Sequence, residues 1–397
     1  MDWQFSRRAL RFQPNIFNVL KDLKGERLAR GEWVCDLSVG TPDFPVAEHI
    51  RAAAAQAALD PENYKYSLGD LPELTQAVQR WYARRYGVTL AENEVMSVYG
   101  SQEGIAHIAM ALCDPGDVVL VPDPCYPIFA IGPSLCGAEV AYYPLDEQSG
   151  YLPDLAAIDE EIARRAKMMI VSFPANPVGA VAPRAFYDDL VAFARKYNIC
   201  IVHDNAYSEI VFDGNEGMSF LSVPGAMEVG VEFNSLSKTY NLTGARLSFL
   251  LGNKAILERF RALRTQIDYG LFYVAQRAAI AALDGPQEGV VRQRAEYQRR
   301  RDALCHSFTA AGWEVPDAKG TMFVWAKTPR GWEDDEAFVT ELFTRTGILC
   351  TPGSAFASRG KGHVRFALVR PAEELTDCAA RLQASGFLGG FDGRGKR

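Results

Sequence analysis

Residues 231–251 read VEFNSLSKTYNLTGARLSFLL. Two runs in this stretch, Val231–Asn234 and Leu247–Leu251, have the length and the β-branched or aromatic content of buried strands. Between them lies a lysine, Lys238, bracketed by the small hydroxyls of Ser235, Ser237 and Thr239, with Arg246 eight residues further on. A lysine just past an apolar strand, among residues small enough to let a ligand approach, is suited to form a Schiff base, because partial burial favours its neutral, nucleophilic amine. A solvated loop lysine is the ordinary alternative, and the small surroundings weigh against it.

Outward from this stretch, residues 45–285 alternate between helix-length amphipathic segments and short apolar runs that end in polar or turn residues. The runs are Glu94–Tyr99, Asp117–Pro122, Glu139–Tyr143, Met168–Phe173, Ile199–His203, Val231–Asn234 and Leu247–Leu251. That rhythm predicts one large α/β domain over 45–287, with a mostly parallel seven-stranded sheet flanked by helices. Ligands of such sheets sit beyond the carboxyl ends of the strands, so the residues just after each run carry the most information. Both chain ends read differently. A charged helical stretch (Glu288–Ala310), a run at Met322–Lys327, a helix at Glu336–Thr346 and a strand at His363–Leu368 predict a smaller α+β domain built from 1–44 and 288–397. Gly386–Arg397 reads as a loose glycine-rich tail.

The chain has 397 residues, 48% of them hydrophobic, 23% charged and 11% aromatic, a balance that supports packed cores and excludes disordered, collagen-like and disulfide-scaffold proteins. At roughly 100–200 residues per domain, two domains fit the length. The net charge of −7 provides no basic field for nucleic acid or an anionic membrane. The N-terminus lacks the apolar core of a signal peptide, and no stretch approaches the roughly 18–20 apolar residues of a membrane span. Eight scattered cysteines without a C-x-x-C pair read as reduced core residues, and no zinc-ligand spacing occurs, so no metal is expected. Cytoplasmic residence is the expectation.

The strand ends supply candidates. Gly100-Ser101-Gln102-Glu103-Gly104 leads into an apolar helix whose first-turn N–H groups and Ser101 hydroxyl would suit a phosphate, although an ordinary helix cap reads the same way. Pro122-Asp123-Pro124-Cys125-Tyr126-Pro127 stiffens a turn and fixes the Tyr126 ring, which could stack on a flat cofactor. Asn176, in Asn176-Pro177-Val178-Gly179, and Asp204, in His203-Asp204-Asn205-Ala206-Tyr207, leave an amide and a carboxylate at strand ends. His203 reads as a satisfied core imidazole. The P-loop spacing of Gly390–Lys396 is a chance match, because the chain ends where Ser/Thr and a helix should follow. No G-x-G-x-x-G follows a strand. Arg292, Arg294, Arg299, Arg300 and Arg301 read as the decoration of a solvated helix.

Taken in order, N-P-x-G at Asn176, D-x-x-Y at Asp204 and Tyr207, S-x-x-K at Ser235 and Lys238, and Arg246 resemble the class I/II pyridoxal-phosphate aminotransferases of fold type I, over nearly the whole chain. The resemblance implies pyridoxal 5'-phosphate as cofactor, bound covalently by Lys238, which would then move the proton at the substrate Cα. Asp204 would keep the pyridine nitrogen protonated; Tyr207 and Asn176 would hydrogen-bond the phenolic oxygen, and Tyr126 would stack on the ring. The phosphate would be held by Arg246, Ser235, Ser101 and the backbone at Gln102, with Ser237 among the cofactor contacts. Arg365 matches the arginine that grips the substrate carboxylate, and Gly40, Asn176 and Tyr126 join it at the substrate. Asn63–Gly69 looks like the family segment whose tyrosine reaches the neighbouring subunit's phosphate. Tyr64 has the usual offset, and an extra residue before Pro72 leaves Tyr66 as the alternative. A homodimer with shared active sites follows from that likeness.

The expected reaction is transfer of an amino group between an L-amino acid and a 2-oxo acid. Within the family, Ser38–Phe44, Val202–Tyr207 and Ile210–Gly214 look closest to the branch holding LL-diaminopimelate and alanine aminotransferases, and an aspartate-type specificity also stays open. Diaminopimelate enzymes often carry an acidic residue before the glycine of the tyrosine segment, where Ser67 and Leu68 stand here. Phe17, Tyr269 and Gly270-Leu271-Phe272 are further candidates for the side-chain pocket. A β-eliminating C–S lyase of the same fold is the rival enzyme class, distinguished by release of pyruvate and ammonia without an oxo-acid acceptor. A non-catalytic binding module would bind ligand without turnover, and the presence of Lys238, Asp204 and Arg246 argues against it.

Overall fold

The computed structural model describes residues 1, 3–11 and 16–388, without the side chains of 16 and 17. The tail spacing at Gly390–Lys396 and the Phe17 side chain therefore lie outside the described residues. The chain falls into two compact units, one of 41–299 with 318–322, the other of 1–40, 300–317 and the described residues from Phe323 on. The division falls inside the helix Glu288–Ala310, after Arg299.

The larger unit contains the expected seven-stranded sheet. Its strands are β1 (Val95–Val98), β2 (Val118–Asp123), β3 (Glu139–Pro144), β4 (Ala166–Ser172), β5 (Cys200–Asn205), β6 (Gly230–Ser235) and β7 (Ser248–Gly252). They lie in the order β1-β7-β6-β5-β4-β2-β3, and β7 alone runs against the direction of the other six. β2, β6 and β7 are buried at every position; β2 and β7 accordingly read as dense apolar runs, while β6 alternates, with Glu232 and Asn234 buried between Val231 and Phe233. On one face, helix α1 (Ser101–Leu112) and the helices Ile128–Cys136 and Lys254–Arg264 pack Ile105, Ile108, Phe129, Leu257 and Phe260 against Val121, Ile170, Val202 and Phe233.

The smaller unit pairs Phe323–Lys327 antiparallel with His363–Ala367, which pairs in turn with Thr351–Pro352; Cys35–Asp36 lies parallel to Ile348–Leu349. The helix at the expected Glu336–Thr346 runs from Asp335 to Thr346. All eight cysteines are free thiols and six of them are buried, as the reduced-core reading expects.

One expectation is overturned. Arg300 and Arg301 do not decorate a solvated face but are buried. Arg300 donates to the carbonyl of Leu368 (3.0 Å), and Arg301 pairs with Asp302 (2.6 Å). A guanidinium enters a core when acceptors meet it there, and these acceptors come partly from a strand end distant in sequence.

Candidate active site

In a parallel sheet all carboxyl ends share one edge, and here topology gathers the sequence candidates on it. β4 leads to Asn176, β5 carries Asp204 and leads to Tyr207, and β6 ends in Ser235, just before the one-turn helix α2 (Leu236–Thr239) that carries Lys238. Because β7 is antiparallel, its start lies at the same edge, two residues after Arg246. β1 is antiparallel to β7, so its end brings Gly100 and Ser101 there as well.

Gly100 takes φ +85°, and a Cβ on it would lie 2.4 Å from an Arg246 guanidinium nitrogen. Only glycine lets Arg246 settle against the first turn of α1, where the N–H groups of Ser101 and Gln102 have no partner within the helix. Arg246, itself at φ +50°, is steadied by donating to the carbonyl of Thr243 (2.9 Å). The Ser235 hydroxyl caps α2 by accepting from the Ser237 N–H (3.2 Å). Two helix starts, two hydroxyls and a guanidinium at one corner form a cradle for a dianion.

Asp204 is buried, and its Oδ1 has no hydrogen-bond partner among the described residues. Burial pushes its carboxyl up to about 7; the neighbouring His203 works against that shift and Glu232 with it. A buried acceptor without a donor fits a protonated ring nitrogen, the group that the resemblance places there. Asn176 and Tyr207 are buried, while Tyr126 is half-buried and donates to Gln102 Oε1 (2.7 Å). The residues present thus fit both the phosphate and the ring of pyridoxal phosphate. His203 is a satisfied core imidazole as expected: it is fully buried, with Nδ1 2.9 Å from Glu232.

Lys238 is half-buried, and its backbone carbonyl accepts from Gln293 Nε2 (2.8 Å), whose amide is oriented by Asn241 Nδ2 (2.8 Å). Neither Gln293 nor Asn241 was marked by the sequence, since their meeting depends on a helix that begins fifty residues after Lys238. Ser248 is also absent from the sequence candidates. It is fully buried, with its hydroxyl 2.9 Å from that of Ser235 and 3.4 Å from that of Ser101. Only the β6–β7 register, which sets Ser235 opposite Ser248, makes it visible.

In the smaller unit, Arg365 is buried, donates to the carbonyl of Ser38 (2.9 Å) and lies 4.0 Å and 4.6 Å from the ring centres of Phe323 and Phe356. A Cβ at Gly40 would lie 2.3 Å from the Phe323 ring, so this glycine is required for the same packing. The structure thus brings Gly40 and Arg365 together around one phenylalanine. Tyr64 and Tyr66 are both exposed; the Tyr64 hydroxyl donates to the carbonyl of Ala58 (2.9 Å). Among the described residues no group of three or more His, Cys, Asp or Glu is placed to hold a metal, and no helix is long and apolar enough to cross a membrane.

Comparison with known proteins agrees with this geometry. The family described as aminotransferase class I and II matches residues 32–382. The LL-diaminopimelate aminotransferase of Moorella thermoacetica is 42% identical over 382 residues, covering 96% of this chain and 98% of the relative. Among solved structures, apo-BacF from Bacillus subtilis is 35% identical with a TM-score of 0.93, covering 96% of this chain and 98% of its own. A probable N-succinyldiaminopimelate aminotransferase from Thermus thermophilus is 36% identical with a TM-score of 0.88, covering 94% and 100%. These names do not favour the C–S lyase. With its fold type I sheet, the chain belongs to the class I and II aminotransferases, pyridoxal-phosphate enzymes that move an amino group between an amino acid and a 2-oxo acid.

Proposed function

We propose that amino-group transfer runs at the carboxyl edge of the sheet, with Lys238 and Asp204 as its central pair. When bound, pyridoxal phosphate supplies an aldehyde that carries the amino group and a ring that draws electrons from the substrate Cα. Lys238 Nζ would be the amine that holds the aldehyde, and it is the amine placed to serve as the base for the proton at the substrate Cα. Asp204 would hold a proton on the ring nitrogen by Coulomb attraction, Asn176 and Tyr207 would hydrogen-bond the phenolic oxygen, and Tyr126 would cover the ring face. Arg246, Ser101, Gln102, Ser235 and Ser237 would hold the phosphate, and Arg365 with Gly40 would take the substrate carboxylate. The observation that carries this reading is the partnerless buried oxygen of Asp204, on the strand next to the one that leads to Lys238. Borohydride reduction of the holoenzyme followed by peptide mapping is expected to label Lys238; a labelled peptide elsewhere overturns the assignment.

The named relatives make LL-diaminopimelate the first donor to test. A second reading, a donor without a distal ammonium, is favoured by one observation: the 64–69 segment carries no carboxylate. Ser67 is already engaged with the Gly69 carbonyl (2.8 Å) and Gln276 (3.2 Å), and Leu68 is exposed. Single-turnover rates with LL-diaminopimelate against phenylalanine and leucine separate the two, and a faster diaminopimelate reaction overturns the second.

The homodimer is supported by a patch of exposed rings, Tyr64 against Phe272 (5.4 Å) and Tyr66 against Tyr269 (5.6 Å), with Leu68 exposed beside them in sequence. Through it Tyr64 or Tyr66 would reach the partner's phosphate. The free thiols support a reducing, cytoplasmic location. Recovery of the enzyme in an oxidising compartment on cell fractionation overturns that placement.

A further inference from the structure

We propose that Ser248 is a positioning residue for the cofactor phosphate, acting by fixing the direction of the Ser235 proton. The inference rests on the reading that Ser235, Ser101 and Arg246 hold that phosphate. Ser248 opens β7 directly opposite the last residue of β6, and it has no exposed surface. Its Oγ lies 2.9 Å from Ser235 Oγ and 3.4 Å from Ser101 Oγ.

A phosphate dianion accepts hydrogen bonds and donates none, so every group in its cradle has to present a proton. A hydroxyl has one proton and two lone pairs. Ser235 Oγ accepts from the Ser237 N–H at 3.2 Å, and with Ser248 donating at 2.9 Å both of its lone pairs are used. Its own proton must then go to a third group, which on this reading is the phosphate. The bond from Ser101 to Ser248 is the longer of the two, so Ser101 gives up little when its proton turns to the anion. The hydroxyls of Ser101, Ser248 and Ser235 are thereby polarised in one sense before the ligand arrives, and at Ser235 the anion meets a donor that needs no reorganisation. Without Ser248, one lone pair of Ser235 is freed and its proton is no longer confined to one direction.

The test uses the full chain stripped of cofactor and compares the dissociation constants of pyridoxal phosphate and of pyridoxal, which lacks the phosphate, for the wild type, Ser248→Ala, Ser235→Ala and the double variant. A lost net hydrogen bond corresponds to roughly five- to tenfold in affinity. Ser248→Ala is expected to weaken pyridoxal phosphate by about that factor and to leave pyridoxal unchanged. If Ser248 acts through Ser235, the double variant binds pyridoxal phosphate no worse than Ser235→Ala alone. Equal losses for both ligands, an unchanged affinity for pyridoxal phosphate, or additive losses in the double variant each overturn the proposal. A Ser235→Ala variant that does not discriminate between the ligands overturns instead the assignment of the phosphate to this corner. Should Ser248→Ala fail to fold, Ser248→Cys keeps the volume with a weaker donor and is expected to give the same discrimination.

Discussion

At the scale of the residue, Asp204 gives the clearest expectation. Its folded-state carboxyl is raised to about 7 from an ordinary 3.8, so the folded apoenzyme holds a proton that the unfolded chain has already released. The stability that this group contributes is present in full below about pH 4, is lost as the pH rises through 7, and levels off above. Asp204→Asn, a neutral mimic of the protonated acid, is expected to abolish that part of the slope: its melting temperature relative to the wild-type apoenzyme should rise between pH 4 and 7. Catalysis should move the other way, because an amide cannot hold the ring nitrogen charged, and kcat is expected to fall by at least a hundredfold, roughly 3 kcal/mol in the barrier. Arg365 is fixed between two phenyl rings, and its planar fork is suited to a carboxylate. Arg365→Lys keeps the charge and loses the fork, so KM should rise about tenfold or more for amino donors and oxo-acid acceptors alike. Steady-state kinetics over several donors checks it, since a side-chain pocket defect would affect only some of them.

At the scale of the element, the turn between β1 and α1 is the most constrained part of the cradle. Gly100 has both a left-handed backbone and a guanidinium where its Cβ would stand. Gly100→Ala should cost about 1–3 kcal/mol in backbone strain alone. Because the added methyl displaces Arg246, its pyridoxal-phosphate affinity should fall by more than its stability does, and denaturant melts beside cofactor titrations separate the two losses. The seven strands were legible in the sequence to within two residues at their ends, because a buried strand between helices leaves a dense apolar run bounded by turn residues. The residues after those runs were legible for the same reason, as parallel strands deliver their next residues to one shared edge. Ser248 was not, since its position opposite Ser235 depends on register between two strands of opposite direction. Arg300 and Arg301 misled the reading because a charged helical stretch carries no mark of the acceptors that meet it in the core.

At the scale of the whole molecule, the exposed rings of Tyr64, Tyr66, Tyr269 and Phe272 form an aromatic patch suited to assembly. Charges placed there by Leu68→Asp together with Tyr269→Asp should shift the protein from dimer to monomer in sedimentation velocity while the far-ultraviolet dichroism is kept; an unchanged dimer would place the interface elsewhere. The sequence alone carried the chemistry: the ordered set of Asn176, Asp204, Tyr207, Lys238 and Arg246 resembles the class I/II aminotransferases, the cofactor follows from that resemblance, and each of these residues lies close after an apolar run that local patterning reveals. Tertiary structure alone decided what surrounds them: the Ser248 hydroxyl between Ser101 and Ser235, the Gln293 amide on the Lys238 carbonyl, the two rings on Arg365, and the place in the helix Glu288–Ala310 where the units divide. Those contacts join residues far apart in the chain, and local patterning is silent on which distant side chain will fill a given space or satisfy a given donor.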